Sequence, residues 1–216
     1  MARRGAADVE EREFERLYGA WAPTTPADAA ALLEGFPRPW WISGGWAIEA
    51  FTGRRRPHKD VDATIFRRDV AVLRRHVRGR LDVWAVGSGA LRPLDEARPR
   101  MPAWSGQLWL RAGATAPWLL DVLVNPGGPS RWVFKRDRSI SLPLDRATWV
   151  AADGVRYLRP ELVLAHTLRL EREADDRNLA DVLPLLDAEA VAWLLDVVVR
   201  ADPAHRWRPL LERRAP

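Results

Sequence analysis

Trp41-Ile42-Ser43-Gly44-Gly45-Trp46-Ala47-Ile48-Glu49 and, a short arginine-rich link later, Asp60-Val61-Asp62-Ala63-Thr64-Ile65-Phe66 are the two runs whose reading decides the fold. The apolar residues from Pro39 to Ser43 read as a buried strand stopped by the glycine pair, and Trp46 to Phe51 returns to helical spacing, so the first run is strand, tight turn, helix. The second alternates strictly: Val61, Ala63 and Ile65 fall on one face, and Asp60, Asp62 and Thr64 on the other.

Working outward, Phe14, Leu17, Tyr18 and Trp21 recur at helical spacing, which predicts an amphipathic helix over residues 8–21. A short helix is expected over 26–33, another over 68–77, and strands over 81–86, 107–111 and 118–125. Between the first two of those strands, Gly87 to Gly106 is rich in Pro, Arg and Gly and long enough to suggest a functional or mobile loop. Small strands follow at 132–134, 147–150 and 155–158, the last two joined by Asp153-Gly154. From Pro160 the pattern is helical: one helix to about Glu173, a second around Leu179, Val182, Leu183 and Leu186, a third capped by Asp187, and a fourth opening at Asp202-Pro203. The expected fold is α+β, with a mixed-sheet domain flanked by helices over 1–159 and a helical domain over 160–216.

Composition narrows the chemistry. The 216 residues are 47% hydrophobic and 29% charged, which excludes disordered and fibrous chains. No run approaches the roughly 20 apolar residues of a membrane span, and the first residues lack the apolar core of a secretory signal, so a cytoplasmic protein without a membrane partner is expected. With no cysteine, disulfides, thiolate nucleophiles and Cys-ligated zinc are out. His76, His166 and His205 have no partner at metal-ligand spacing, so no zinc site is expected. The net charge of +5 suggests a phosphate-bearing partner, and nucleic acid stays open as one. Of the twelve tryptophans, Trp40, Trp41, Trp118 and Trp193 are expected in the core, with Trp104 and Trp132 the better candidates for a ligand surface.

Two carboxylates two residues apart on a strand point the same way, as a divalent cation requires, although such a pair also suits a solvated face. Glycines at a strand-to-helix turn let backbone N–H groups approach phosphate oxygens, although Gly-Gly turns are common without a ligand. Asp121 interrupts Trp118-Leu119-Leu120-Asp121-Val122-Leu123-Val124, whose faces are otherwise apolar. A carboxylate there needs a metal or cationic partner, and one of the many arginines would also serve.

On these residues, together with Gly53-Arg54, His58-Lys59-Asp60-Val61-Asp62, Gln107 to Arg111, Trp132 to Asp137 and Tyr157-Leu158-Arg159-Pro160-Glu161, the chain resembles the nucleotidyltransferase superfamily, in its aminoglycoside nucleotidyltransferase-like branch. The resemblance runs from about Pro37 to Arg208. It implies Mg2+-dependent attack of a hydroxyl on the α-phosphorus of a nucleoside triphosphate, ATP foremost, with AMP transferred to a small hydroxylated, aminoglycoside-like acceptor. It further implies that Asp60, Asp62 and Asp121 hold Mg2+ and carry catalysis, with Asp121 either the third ligand or the general base. Ser43, Gly44 and Gly45 would cradle phosphates, and Arg54, His58 and Lys59 are nucleotide-side cations.

The chain departs from the family where a helix lysine gives way to Thr167 and a Lys-Asp-x-x-Asp-Phe run gives way to Ala174-Asp175-Asp176-Arg177-Asn178-Leu179. Arg169 or Arg172 could replace the lysine; the alternative is a catalytically inactive nucleotide-binding protein. Between Glu161 and Asp202 ten acidic residues face four arginines, a balance suited to a cationic acceptor and equally to solvated helices, while RNA or protein remains an alternative acceptor.

Overall fold

Side-chain caps and turn chemistry set many of the boundaries. Thr25 and Asp28 cap a helix reciprocally, the Asp28 amide donating to the Thr25 hydroxyl and the Thr25 amide to the Asp28 carboxylate at 2.8 Å. In the computed structural model, which describes residues 12–170 and 172–215, residues 12–18 form α1; residues 8–11 of the expected first helix lie outside the described residues. In chain order there follow α2 (Pro26–Leu32), β1 (Trp40–Ile42), α3 (Gly44–Thr52), β2 (Asp62–Phe66), α4 (Val70–His76), β3 (Asp82–Gly87), β4 (Ala90–Pro93), β5 (Gln107–Arg111) and β6 (Trp118–Asn125). The remainder comprises β7 (Arg131–Val133), β8 (Ser141–Pro143), α5 (Leu144–Ala147), β9 (Thr148–Val150), β10 (Arg156–Leu158), α6 (Pro160–Thr167), α7 (Glu173–Val182), α8 (Ala188–Ala201) and α9 (Arg208–Glu212). The mixed α+β class expected from the sequence is what forms. These elements pack as two compact units, one of residues up to Trp40 with His58–Pro129, the other of Trp41–Pro57 with Ser130 onward.

In the first unit the strands lie in the order β4-β3-β5-β6-β2. β2 and β6 are parallel, and the other pairs are antiparallel. Val61, Ala63, Ile65, Leu108, Leu110, Leu120 and Val122 are fully buried. The polar face expected along β2 is confined to its start: Asp62 is half-buried, but Thr64 is buried with its neighbours. A strand paired in parallel is normally covered on both faces, which overrides the alternation.

The expected loop over 87–106 contains β4. Ser88 and Gly89, both at positive φ, form the tight turn of a β3–β4 hairpin, a geometry a serine signals poorly in sequence. The rest of that segment is tied down by arginines: Arg67 donates to the carbonyls of Ser105 and Pro102, and Arg74 to those of Leu94, Asp95 and Pro99. On the other side of β5 and β6, Trp109 and Trp118 meet edge to face at 5.3 Å, Phe14 and Trp21 pack on Trp109, and the Arg111 guanidinium lies 4.2 Å above Trp118. This is the apolar partner that the helical spacing of Phe14, Tyr18 and Trp21 anticipated.

In the second unit β1 pairs in parallel with β10, through Ile42 and Tyr157, and β10 pairs antiparallel with β9. The short hairpin β7–β8 stands apart, its second strand not marked by any sequence alternation. Trp132 on β7 is only 1% exposed, stacked on Phe134 and edge-on to His166, so it is core and not ligand surface; Trp104 stays exposed. The change from strand to helix after Arg159 falls inside this unit.

α6 is shorter than expected, ending at Thr167. The Thr167 hydroxyl donates to the Leu164 carbonyl, a turn closes from the Leu170 amide to the Thr167 carbonyl, and extended Arg172 starts α7. Asp187 caps α8 as expected, accepting from the Ala190 amide at 2.8 Å. Asp202 instead makes a local turn with the Ala204 amide, so the last helix begins only at Arg208. Among the described residues no helix is long and apolar enough to cross a membrane.

Candidate functional site

In the first unit, strand register brings carboxylates together. β2 and β6 run parallel with Asp62 opposite Asp121, and the Asp121 amide donates to the Val61 carbonyl at 3.2 Å, which fixes the stagger. Asp60 lies two residues before Asp62, so its side chain emerges on the same side. One oxygen from each of Asp60, Asp62 and Asp121 lies within 4.8 Å of the others. Asp121 is buried, whereas Asp60 and Asp62 are half-buried at the strand start.

Burial pushes the Asp60 carboxyl up, against the opposing pull of the His58 and Lys59 charges and of its own backbone amide. Three carboxylates this close repel one another unless a cation or a proton intervenes. Their hard oxygen donors match a magnesium-type ion, which favours carboxylate ligands and keeps several open positions for water or phosphate.

The second unit supplies a different kind of site. Ser43 is extended and buried at the start of α3, and Gly44 follows at φ +62°, a left-handed conformation that a side chain would strain. The first amides of α3 have no carbonyl partner within the helix, which makes such a terminus receptive to phosphate oxygens. Arg56 locks this turn: its guanidinium donates to the Gly45 carbonyl at 2.8 Å and to the Asn178 side chain on α7, while its amide donates to the Glu49 carboxylate at 2.9 Å. Burial lowers the Arg56 pKa, with the charges of Glu49 and Asp181 opposing that effect.

Of the residues singled out from sequence, Asp60, Asp62 and Asp121 come together in the first unit, with His58 half-buried and Lys59 exposed next to them in the chain. Ser43, Gly44 and Gly45 form the strand-to-helix turn of the second unit. Arg54 is exposed and ion-paired with Asp181 on α7. Arg172, offered as a replacement for the missing lysine, is bound bidentately to buried Asp175. Sequence reasoning missed Arg56. It sits in the run Arg54-Arg55-Arg56, where nothing in the sequence separates the inward arginine from its exposed neighbours. Asn178, at a position that departs from the family pattern, is the residue that holds it.

A family model described as aminoglycoside-2''-adenylyltransferase matches residues 27–79, the segment that holds the glycine turn and both Asp60 and Asp62. No curated protein matches the chain by sequence. Among solved structures, the solution structure of the antibiotic-resistance factor ANT(2'')-Ia is 20% identical with a TM-score of 0.48, covering 87% of this chain and 93% of its own. The lincomycin-bound lincosamide antibiotic adenylyltransferase LnuA is 13% identical with a TM-score of 0.46, covering 74% of this chain and 98% of its own. ANT(2'')-Ia in complex with adenylyl-2''-tobramycin is 17% identical with a TM-score of 0.42, covering 87% of this chain and 95% of its own. At these levels of likeness the solved structures assign no residue here a role. The family match coincides with the glycine turn and the carboxylate pair: over these residues the chain is similar to the aminoglycoside-2''-adenylyltransferase family.

Proposed function

We propose that this protein is a Mg2+-dependent adenylyltransferase of the cytoplasm that moves AMP from ATP to a hydroxyl of a small cationic acceptor of the aminoglycoside kind. The observation that carries the reading is the convergence of one oxygen each from Asp60, Asp62 and Asp121 within 4.8 Å. These carboxylates would hold the ion, which when bound supplies charge neutralisation on the triphosphate. A carboxylate oxygen left off the metal can accept the proton of the attacking hydroxyl, and Asp121, the most buried of the three, suits either that task or the third ligand position. Pyrophosphate leaves as the new phosphodiester bond forms.

Ser43, Gly44 and Gly45 are the phosphate cradle of this reading, with His58 and Lys59 as cations on the nucleotide side. Arg54 is paired with Asp181, so Arg56, bound to the Gly45 carbonyl, is the better candidate for fixing the cradle's shape. The description of the matching family and the ten acidic residues from Glu161 to Asp202 favour a polycationic acceptor. The net charge of +5 favours a second reading, in which the acceptor is RNA.

The test is transfer of label from α-labelled ATP, with Mg2+, to tobramycin, lincomycin or bulk tRNA, alongside pyrophosphate release. Label on an antibiotic supports the first reading, and label on tRNA the second. Label on none, or transfer that survives Asp62→Asn, contradicts both.

A further inference from the structure

Outside that site, the second unit contains a pocket of about 180 Å³ between the loop that joins β7 to β8, the C-terminal end of α6 and the C-terminal end of α8. Its floor is apolar: Phe134, Leu168 and Val197 line it and are buried in the core of the unit. Its rim carries three guanidinium groups, those of Arg136, Arg169 and Arg200, against one carboxylate, that of Asp137.

Only one of the three cations is matched. Arg200 pairs with Asp196 at 2.7 Å on its own helix, and the Asp137 carboxylate is taken up by the Ser139 amide and hydroxyl at 3.0 and 2.6 Å. Arg136 donates from Nε to the His166 carbonyl at 3.0 Å, which anchors its side chain at the rim without neutralising it. Neither Arg136 nor Arg169 is ion-paired among the described residues. The two charges oppose each other: partial burial, then the charge of Arg169, lower the Arg136 pKa. An apolar floor under two like charges without a counter-charge is complementary to an anion with an apolar body.

We infer that this pocket binds a small carboxylate with an apolar body, the carboxylate accepting from Arg136 and Arg169 and the body resting on Phe134, Leu168 and Val197. The volume suits one ring or a short carbon chain. The pocket needs neither the carboxylate trio nor a nucleotide, so its test is independent of the transferase reading. The competing explanation is that Arg169 and Arg200 only offset the negative ends of α6 and α8.

Benzoate as the probe, with benzyl alcohol as its uncharged counterpart and inorganic phosphate as an anion without an apolar body, separates the two by calorimetry or ligand-observed NMR at neutral pH. The expected result is saturable benzoate binding to the wild type and to Asp62→Asn, weakened about tenfold or more in Arg169→Gln, as loss of a charge-assisted hydrogen bond implies. Arg213 is exposed and outside the pocket, so Arg213→Gln should leave benzoate affinity unchanged. Benzyl alcohol and phosphate should each bind about tenfold more weakly than benzoate, since each lacks one half of the match. Thermal melts confirm that both arginine variants fold. No saturable benzoate binding to the wild type, equal affinity in Arg169→Gln, equal weakening in Arg213→Gln, or phosphate binding as tight as that of benzoate overturns the inference.

Discussion

Asp62 on β2 stands directly across from Asp121 on β6, in a parallel register that continues through Phe66 and Asn125. Four consecutive paired positions behind the two acids hold them at a fixed separation, so their repulsion cannot be relieved by sliding the strands. Without a divalent ion, removing one of these charges is expected to stabilise the protein. Asp62→Asn should raise the melting temperature, by about 1 kcal/mol of stability, and abolish the further rise that Mg2+ gives the wild type. Scanning calorimetry with and without Mg2+ checks both halves of this prediction.

Gly44 tests the turn. At φ +62°, Gly44→Ala places a side chain in the left-handed region at a cost of about 1–2 kcal/mol. Urea unfolding should show that loss. On the proposed phosphate-cradle reading, affinity for triphosphate should fall as well.

Arg54 and Arg56 separate a surface pair from a built one. The exposed Arg54–Asp181 pair should contribute little, so Arg54→Ala should cost at most about 1 kcal/mol. Half-buried Arg56 holds Gly45 and Asn178, and Arg56→Ala should cost about 2–3 kcal/mol by leaving those groups unpaired. Equal losses in denaturant titrations of the two variants would contradict this ranking.

Glu161 and His166, both on α6, titrate with opposite signs. Burial, the larger cause, raises Glu161 to about 6, reinforced by the charges of Asp187 and Glu189 and opposed by its backbone amide and Arg159. Its contribution to stability is therefore full below about 4.5 and lost as pH rises through about 6. Burial, then the charges of Arg136 and Lys135, lower His166 to about 4, so its contribution is full above about 6.5 and lost as pH falls through about 4. Glu161→Gln should stabilise the protein above pH 6, by about 1–2 kcal/mol, and do nothing below 4.5. His166→Gln should flatten the loss of stability between pH 6.5 and 4. Stability measured against pH for the three proteins checks both windows.

Much of this was legible because local chemistry and tertiary placement agree. The glycine pair, the Thr25 and Asp187 caps and the spacing of Phe14, Tyr18 and Trp21 each point to the element that forms. The Asp-x-Asp run and the acid inside Trp118–Val124 suffice to suggest a carboxylate cluster, since side-chain direction on a strand follows from spacing alone. What the sequence concealed depends on long-range partners. Thr64 is buried by parallel pairing, Trp132 by the rings of Phe134 and His166, and Arg56 is selected from three adjacent arginines by Asn178, 122 residues away. β4 was hidden because its turn uses Ser88 at positive φ, where the expected residue is Asn, Asp or Gly.

As proposed, Asp60, Asp62 and Asp121 would form one metal-dependent nucleotide site. Calorimetric titration of a nonhydrolysable ATP analogue, with and without Mg2+, into the wild type and an Asp60→Ala, Asp62→Ala double variant tests it most directly. Binding to the wild type is expected to require Mg2+ and to disappear in the double variant. Binding that ignores Mg2+, or that survives loss of both carboxylates, would contradict it.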